Sequence, residues 1–149
     1  MTLTLSAVPA DEYAVSAPEI DPSQLGRTHR VLLDVLRAVQ DVQDEEDLQC
    51  LVFLADECGF LRPDPFCFGI SLSSGARLPW SLILRDTLEQ LRGAGLVIDD
   101  GCLRPAPHYR PAGTIAPDGL AWLASLPASE RRTLTGGALP LRFGEARSA

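Results

Sequence analysis

The residues best suited to catalysis or metal binding in this chain are two histidines and four cysteines. The cysteines, Cys50, Cys58, Cys67 and Cys102, form no C-x-x-C pair, and no zinc-finger or zinc-ribbon spacing joins them to a histidine. The sequence also contains no recognisable motif in which a nucleophile is paired with a base. The sequence therefore predicts a protein that is not an enzyme and that uses no metal and no cofactor.

Each histidine has a structural interpretation. His29 falls on the apolar stripe of the first predicted helix, a position typical of a half-buried, hydrogen-bonded histidine. His108 lies beside Tyr109 and Arg110 in a proline-rich segment, which indicates a surface contact. The stretch 73–75 lacks the glycine spacing and the lysine of a phosphate-binding loop.

Charge is carried unevenly along the 149 residues. All 13 basic residues are arginines, and 20 acidic residues give a formal net charge of −7. Residues 1–76 hold 4 arginines and 13 acids, a charge of −9, whereas residues 77–149 hold 9 arginines and 7 acids, a charge of +2. This balance excludes a globally basic nucleic-acid binder and leaves arginine as the one cationic contact available.

Two helices are predicted in the first half. Apolar residues at intervals of three and four predict a helix over 22–42, with Asp21 as its cap and Gly26 as a possible delay to its start. The acidic run 44–47 predicts the N-terminal cap of a second, largely apolar helix. Gly59 is expected to end that helix in the left-handed conformation that glycine tolerates.

The second half is predicted to alternate short elements. In chain order these are a turn at 62–65, a strand at 66–70, a loop at 71–79, a helix at 80–92, a hairpin at 96–104, a helix at 114–126 and a short helical start at 129–132. The hairpin is predicted from its Asp-Gly turn. The fold class expected is mainly α with a small β-hairpin (α+β).

The chain is expected to be cytoplasmic. Its N-terminus lacks the features of a signal peptide, and its longest uninterrupted apolar run, Leu51–Ala55, is far too short to span a membrane. Cysteines in a reducing compartment are usually small buried hydrophobes, so no structural disulfide is predicted.

A resemblance arises from the stretch TLEQLRGAGLVIDDGCLRP followed by GTIAPDGLAWLASL. A leucine-spaced helix, a GxGLV junction, an acidic-glycine turn and a closing helix resemble the winged helix-turn-helix superfamily, here with an extra N-terminal helix. The segment LQCLVFLADECGF together with GAGLV is similar to Panacea-type antitoxin-associated domains. The domains expected are then a mobile lead-in at 1–20, a winged-helix-like domain at 21–128, and a short helix with a flexible tail at 129–149.

The resemblance implies a transcription regulator that binds double-stranded DNA, as a homodimer. The 80–92 helix would face the major groove and the turn at 99–101 would be the wing. The arginines placed to contact DNA would be Arg77, Arg85, Arg92, Arg104 and Arg110.

An alternative is a protein-interaction or dimerisation module of the same fold that does not bind DNA. Asp86 and Glu89 share the outer face of the 80–92 helix with its arginines, and Arg85 can pair with Glu89 at i,i+4. The acidic wing tip would also point carboxylates at phosphate. Neither function requires a membrane.

Overall fold

The computed structural model describes residues 22–61, 63–73, 76–107, 109 and 113–143. Within these ranges the chain is a mixed α+β protein with five α-helices and two antiparallel two-stranded sheets, which confirms the predicted class at that level. The elements are α1 (Arg27–Ala38), α2 (Glu45–Glu57), β1 (Gly69–Ser73), β2 (Ala76–Trp80), α3 (Leu82–Gly93), β3 (Val97–Asp99), β4 (Leu103–Pro105), α4 (Pro117–Ala124) and α5 (Ala128–Phe143). The predicted lead-in at 1–20, the Asp21 cap, His108 and Arg110 lie outside the described residues.

Helix α1 is shorter at both ends than the predicted span of 22–42. Pro22–Gln24 forms one turn of 3-10 helix, and the α-helix begins only after Gly26, whose extended backbone provides the N-cap position. The Gly26 N–H donates to Nδ1 of His29 at 3.2 Å, so the side chain of the third helical residue satisfies the amide of the N-cap residue. Val39 ends the helix in an extended conformation.

Helix α2 is the centre of the core, as its apolar sequence predicted. All ten residues from Asp47 to Asp56 are buried. Asp44 caps the helix by accepting a hydrogen bond from the N–H of Asp47 at 2.9 Å. Gly59 follows the helix with φ +84°, and the Phe60 N–H donates to the carbonyl of Ala55 at 2.8 Å, which confirms the predicted end.

Between α2 and α3 the prediction of a strand at 66–70 followed by a loop at 71–79 is wrong. The Asp64 carboxylate accepts hydrogen bonds from the N–H groups of Phe66 and Cys67, and Cys67 has φ +55°, so the backbone turns there and the strand starts only at Gly69. The expected loop is instead an antiparallel hairpin of β1 and β2, paired from Gly69 opposite Trp80 to Ser73 opposite Ala76.

The start of helix α3 is held by two buried residues, Ser81 and Gln49. Ser81, not Trp80, precedes the helix, and its hydroxyl accepts from the N–H of Leu84 at 3.0 Å. Gln49 of α2 donates to the carbonyl of Ser81 at 3.1 Å and accepts from its N–H at 2.9 Å. These reciprocal bonds tie the N-cap residue of α3 to the middle of the core.

The second hairpin follows α3 as predicted, with one difference in its turn. Gly95 (φ +75°) follows the helix, and β3 pairs with β4 from Val97 opposite Pro105 to Asp99 opposite Leu103. Three residues rather than an Asp-Gly pair therefore connect the strands, with Gly101 at φ +114°. The N–H of Leu103 also donates to the carbonyl of Val42 at 2.8 Å, which attaches the hairpin to the α1–α2 connection.

Helix α5 is much longer than the short helical start predicted at 129–132, and its described residues do not form a flexible tail. It runs to Phe143 despite Pro140, and it buries Arg131, Thr135 and Leu139 against the core, chiefly against α2 and β2. Tertiary contacts thus override the local cost of a proline in a helix. Among the described residues, no helix has both the length and the apolar character to cross a bilayer.

The four cysteines differ in environment, so the expectation that they are buried holds only in part. Cys50 is buried, Cys58 and Cys67 are exposed, Cys102 is intermediate, and all four are free thiols. Burial raises the pKa of the Cys50 thiol to about 11.

We expect a thiol reagent such as DTNB at pH 8 to label Cys58 and Cys67 promptly and Cys102 more slowly. Cys50 should react only after denaturant unfolds the chain, because it is both inaccessible and protonated in the folded state. Labelling followed by peptide mass spectrometry checks this order. Prompt reaction of Cys50 in the native protein would contradict the packing of α2 described above.

Candidate nucleic-acid interface

The predicted DNA-contacting arginines do not all lie on one element. Arg85 and Arg92 lie about two turns apart on α3 and therefore share a face of that helix. Arg104 lies on β4 of the adjacent hairpin, whereas Arg77 lies on β2 of the other sheet. The structure thus brings Arg85, Arg92 and Arg104 to the α3–β3–β4 unit, hereafter the α3–wing surface, and places Arg77 on a separate sheet.

Arg92 is engaged in ion pairs that tie α3 to the hairpin. Its guanidinium lies 2.6 Å from the carboxylate of Glu89 and 3.0 Å from that of Asp99. The Arg85–Glu89 pair considered from the sequence is therefore replaced by an Arg92–Glu89 pair at i,i+3. Among the described residues, none lies within hydrogen-bond or ion-pair distance of the Arg85 guanidinium.

Arg104 is paired within the hairpin itself. Its guanidinium reaches both carboxylate oxygens of Asp100, at 2.5 Å and 3.4 Å. The hydrogen bond and the charge of Asp100 raise the pKa of Arg104. The acidic turn of the β3–β4 hairpin thus holds Arg92 through Asp99 and Arg104 through Asp100.

The net charge of the α3–wing surface follows from these pairs. It carries three arginines (Arg85, Arg92, Arg104) and four carboxylates (Asp86, Glu89, Asp99, Asp100), a formal charge of −1. Exposed ion pairs of this kind contribute little to stability, but they do reduce the positive potential that a phosphate backbone would meet. The weakly basic character of the C-terminal half is not concentrated on this surface.

The first turn of α3 exposes apolar side chains instead. Leu82 is 68% exposed and Ile83 is 41% exposed. Arg85 follows Ile83 by two positions. On the inner side of α3, Gln90 accepts a hydrogen bond from Nε2 of His29 at 2.8 Å. This contact, with the Gly26 bond to Nδ1, confirms the structural interpretation of His29.

Two buried polar clusters were not foreseen from the sequence. Asp34 of α1, almost fully buried, accepts hydrogen bonds from the Tyr109 hydroxyl at 2.8 Å and from the N–H and hydroxyl of Thr114 at 3.1 and 2.7 Å. A single acid inside the apolar run VLLDVL was the available signal, since a buried carboxylate needs partners. The partners themselves lie about 75 and 80 residues away and carry no pattern.

The second cluster centres on Arg131, which is 1% exposed. It donates to the carbonyl of Leu126 at 2.9 Å and to Asp47 at 2.6 Å, and it pairs with Asp41. Near the other end of α5, Arg142 pairs with Asp56 and Glu57 and lies over the ring of Phe53. Nothing in the sequence distinguished Arg131 from the exposed Arg132.

An open cleft of about 430 Å³ lies beside β4. Its lining consists of Leu36, Arg37, Gln40, Arg104, Pro105 and Pro107. Both arginines are engaged, since Arg37 donates to the carbonyl of Tyr109 at 2.9 Å and Arg104 binds Asp100. Within the described ranges, no cluster of His, Cys, Asp or Glu side chains is arranged to hold a metal ion.

Comparisons with family models, curated proteins and solved structures find no match to this chain, so its function has to be argued from the surfaces described above.

Proposed function

We propose that the chain is a winged-helix module with an extra helix. The order of α1, α2, α3 and the β3–β4 hairpin supports this assignment, as do the contacts of α1 with both α2 and α3. The hydrogen bond from Leu103 to Val42 adds to it, because it places the α1–α2 connection alongside the hairpin as a short third strand would lie.

We further propose that the module is non-catalytic and acts by binding protein, in the first instance a second copy of itself. The observation that favours protein binding over DNA binding is the α3–wing surface. Its charge is −1, Arg92 and Arg104 are held by carboxylates, and Leu82 and Ile83 are exposed at the start of α3. Exposed apolar side chains on a surface whose arginines are mostly paired with its own carboxylates favour contact with protein over contact with phosphate.

The magnitude of DNA binding can be bounded by counting cations. Within this surface only Arg85 is without a partner among the described residues, so each chain would neutralise about one phosphate without breaking an ion pair. A plot of the logarithm of the binding constant against the logarithm of the salt concentration would then have a slope of about −1 per chain, or about −2 for a dimer. Binding of that strength is weak at physiological salt.

DNA-binding transcription regulation is the second candidate. Arg85 favours it, because this exposed guanidinium stands on the outer face of a helix that runs directly into a hairpin, as a reading helix precedes a wing. An arginine without an internal partner is free to bind guanine or phosphate.

Charge reversal at Arg85 separates the two functions. We expect the wild-type protein to self-associate in sedimentation velocity experiments and the Arg85→Glu variant to do so equally. Titration with duplex DNA at low and moderate salt should show that the wild-type protein binds weakly. The Arg85→Glu variant should bind DNA as weakly as the Arg132→Glu variant, a matched charge reversal at an exposed arginine on α5.

Two results would contradict this proposal. Salt-sensitive DNA binding that Arg85→Glu abolishes and Arg132→Glu preserves would establish the second candidate instead. A wild-type protein that stays monomeric at every concentration would remove the support for self-association.

A further inference from the structure

The outer edge of β1 has no strand partner among the residues that the structure describes. β1 pairs with β2 on one side, and no described residue outside that hairpin makes a backbone hydrogen bond to it. Its sequence, Gly-Ile-Ser-Leu-Ser, contains no charge and no proline. Natural edge strands are usually blunted by charges, prolines or bulges, because a free row of amide and carbonyl groups recruits another strand.

The ladder determines which groups of β1 face outward. Ile70 lies opposite Pro79, which has no N–H to donate, so this pair is a non-hydrogen-bonded pair of the antiparallel ladder. Because such pairs alternate with hydrogen-bonded ones, Leu72 opposite Arg77 is also of this type. The N–H and C=O groups of Ile70 and Leu72 therefore point away from β2, toward the free edge.

These outward groups are self-complementary about Ser71. When a second β1 is placed antiparallel with its Ser71 opposite Ser71, Ile70 lies opposite Leu72 of the other copy and Leu72 lies opposite its Ile70. Both are then hydrogen-bonded pairs, which form about four backbone hydrogen bonds. A register shifted by one residue would place Ile70 or Leu72 opposite Ser71 of the other copy, whose N–H and C=O already face β2, so these paired hydrogen bonds would not form.

We propose that two copies of the chain dimerise by antiparallel pairing of their β1 strands, centred on Ser71, to form a continuous four-stranded sheet. This inference rests on the proposed function, since it assigns self-association to the β1 edge, a surface separate from the α3–wing surface that disfavours DNA. A two-fold interface must be self-complementary, and β1 meets that requirement in both its backbone and its side chains.

The side chains support the same register. Ile70 and Leu72 lie on one face of the strand, and Leu72 is 72% exposed although it is apolar. In the paired sheet each Leu72 would lie beside Ile70 of the other copy, in a row flanked by Arg77 and Pro79 on the outer strands. No charges lie on either β1 strand, whereas each chain carries −7, so added salt should strengthen this association by screening the repulsion between copies.

Cysteine cross-linking tests the register directly. In a background with Cys58, Cys67 and Cys102 replaced by serine, Ser71→Cys places two thiols opposite each other at a non-hydrogen-bonded pair, with Cα atoms about 4.5 Å apart, within reach of a disulfide. Ser73→Cys is the matched control, since its two copies would be roughly 13 Å apart along the sheet. Mild oxidation should convert the Ser71→Cys protein to a covalent dimer at least about tenfold faster than the control.

A second variant tests the backbone contribution without relying on a disulfide. Leu72→Pro removes an outward N–H and leaves the β1–β2 bonds intact, because proline is tolerated where the N–H faces solvent. We expect its dimer Kd to rise by about tenfold or more, and that of Leu72→Ala, which keeps the N–H, to rise less. Circular dichroism of each variant verifies that it folds.

The outcomes separate this inference from the proposed function. A wild-type dimer whose Ser71→Cys variant cross-links no faster than Ser73→Cys, and whose Kd is unaffected by Leu72→Pro, would overturn β1 pairing while leaving self-association through another surface. A wild-type protein that is monomeric at all concentrations would overturn both.

Discussion

Replacing Arg131 with methionine is expected to lower the free energy of unfolding by about 3–5 kcal/mol, the cost of breaking a buried ion pair by removing one partner. Methionine fills much of the space of the arginine stem but leaves the buried carboxylate of Asp47 without its hydrogen-bonded cation. One oxygen of that carboxylate already lacks a hydrogen-bond partner within the described structure. Denaturant-induced unfolding followed by circular dichroism measures the change.

The neighbouring Arg132 is the matched control, because it is exposed and its one ion pair with a described residue, Glu46, is 4.0 Å long. Arg132→Met should change stability by less than about 0.5 kcal/mol. A loss of equal size in both variants would contradict the role assigned to the buried pair. Replacing Asp47 with leucine in the Arg131→Met background should recover part of the loss, since the uncompensated charge is removed.

The deficit of Arg131→Met should also depend on pH. Desolvation raises the pKa of Asp47 even with Arg131 present, and removal of the guanidinium should raise it further. The folded variant then binds a proton more tightly than the unfolded chain does, so its stability relative to wild type improves as the pH falls. Unfolding curves at neutral and acidic pH check the sign, and a deficit that widens on acidification would contradict it.

Replacing Asp34 with alanine is expected to cost about 3 kcal/mol, because three donors lose a charged acceptor in a site with little access to water. The donors belong to Tyr109 and Thr114, so the variant should also loosen the described start of the segment that leads into α4. Equilibrium unfolding gives the energy, and hydrogen exchange at residues 113–116 reports the local loosening.

Tyr109→Phe provides the comparison for Asp34→Ala. It removes one of the donors to Asp34 and should cost only about 1 kcal/mol. The double variant should cost less than the sum of the two single changes, since they share a hydrogen bond. Additive effects, or an Asp34→Ala protein as stable as wild type, would show that this carboxylate does not organise the segment.

Elements whose ends are marked by local chemistry could be predicted from the sequence. Asp44 and Gly59 delimit α2, and Gly95 and Gly101 mark the end of α3 and the turn of the second hairpin. In each case the signal and the structure it produces lie within a few residues, so no tertiary information was needed.

Elements maintained by distant contacts could not be predicted in the same way. The Gly136-Gly137 pair and Pro140 locally disfavour a long C-terminal helix, yet burial of Arg131 and Leu139 stabilises one. Pro79 likewise disfavours a strand, but on β2 it lies where the ladder needs no donor. The candidate surface also depends on contacts that the sequence does not show. The spacing placed Arg85 and Arg92 on one helix, but it did not reveal that Asp99 and Asp100 of the hairpin would bind Arg92 and Arg104.

The two arginines of α5 have a consequence for the synthesis of the chain. Arg131 binds Asp47 near the start of α2 and Arg142 binds Asp56 near its end, so the two helices run parallel. Their partners are separated by 84 and 86 residues, and α2 therefore leaves the ribosome long before α5 can cover it. During that interval the nascent chain displays the helix with the most buried residues, before the arginines that pair with its acidic residues have been made. We expect the growing polypeptide to depend on chaperones at this stage, and native structure to form only once α5 has emerged.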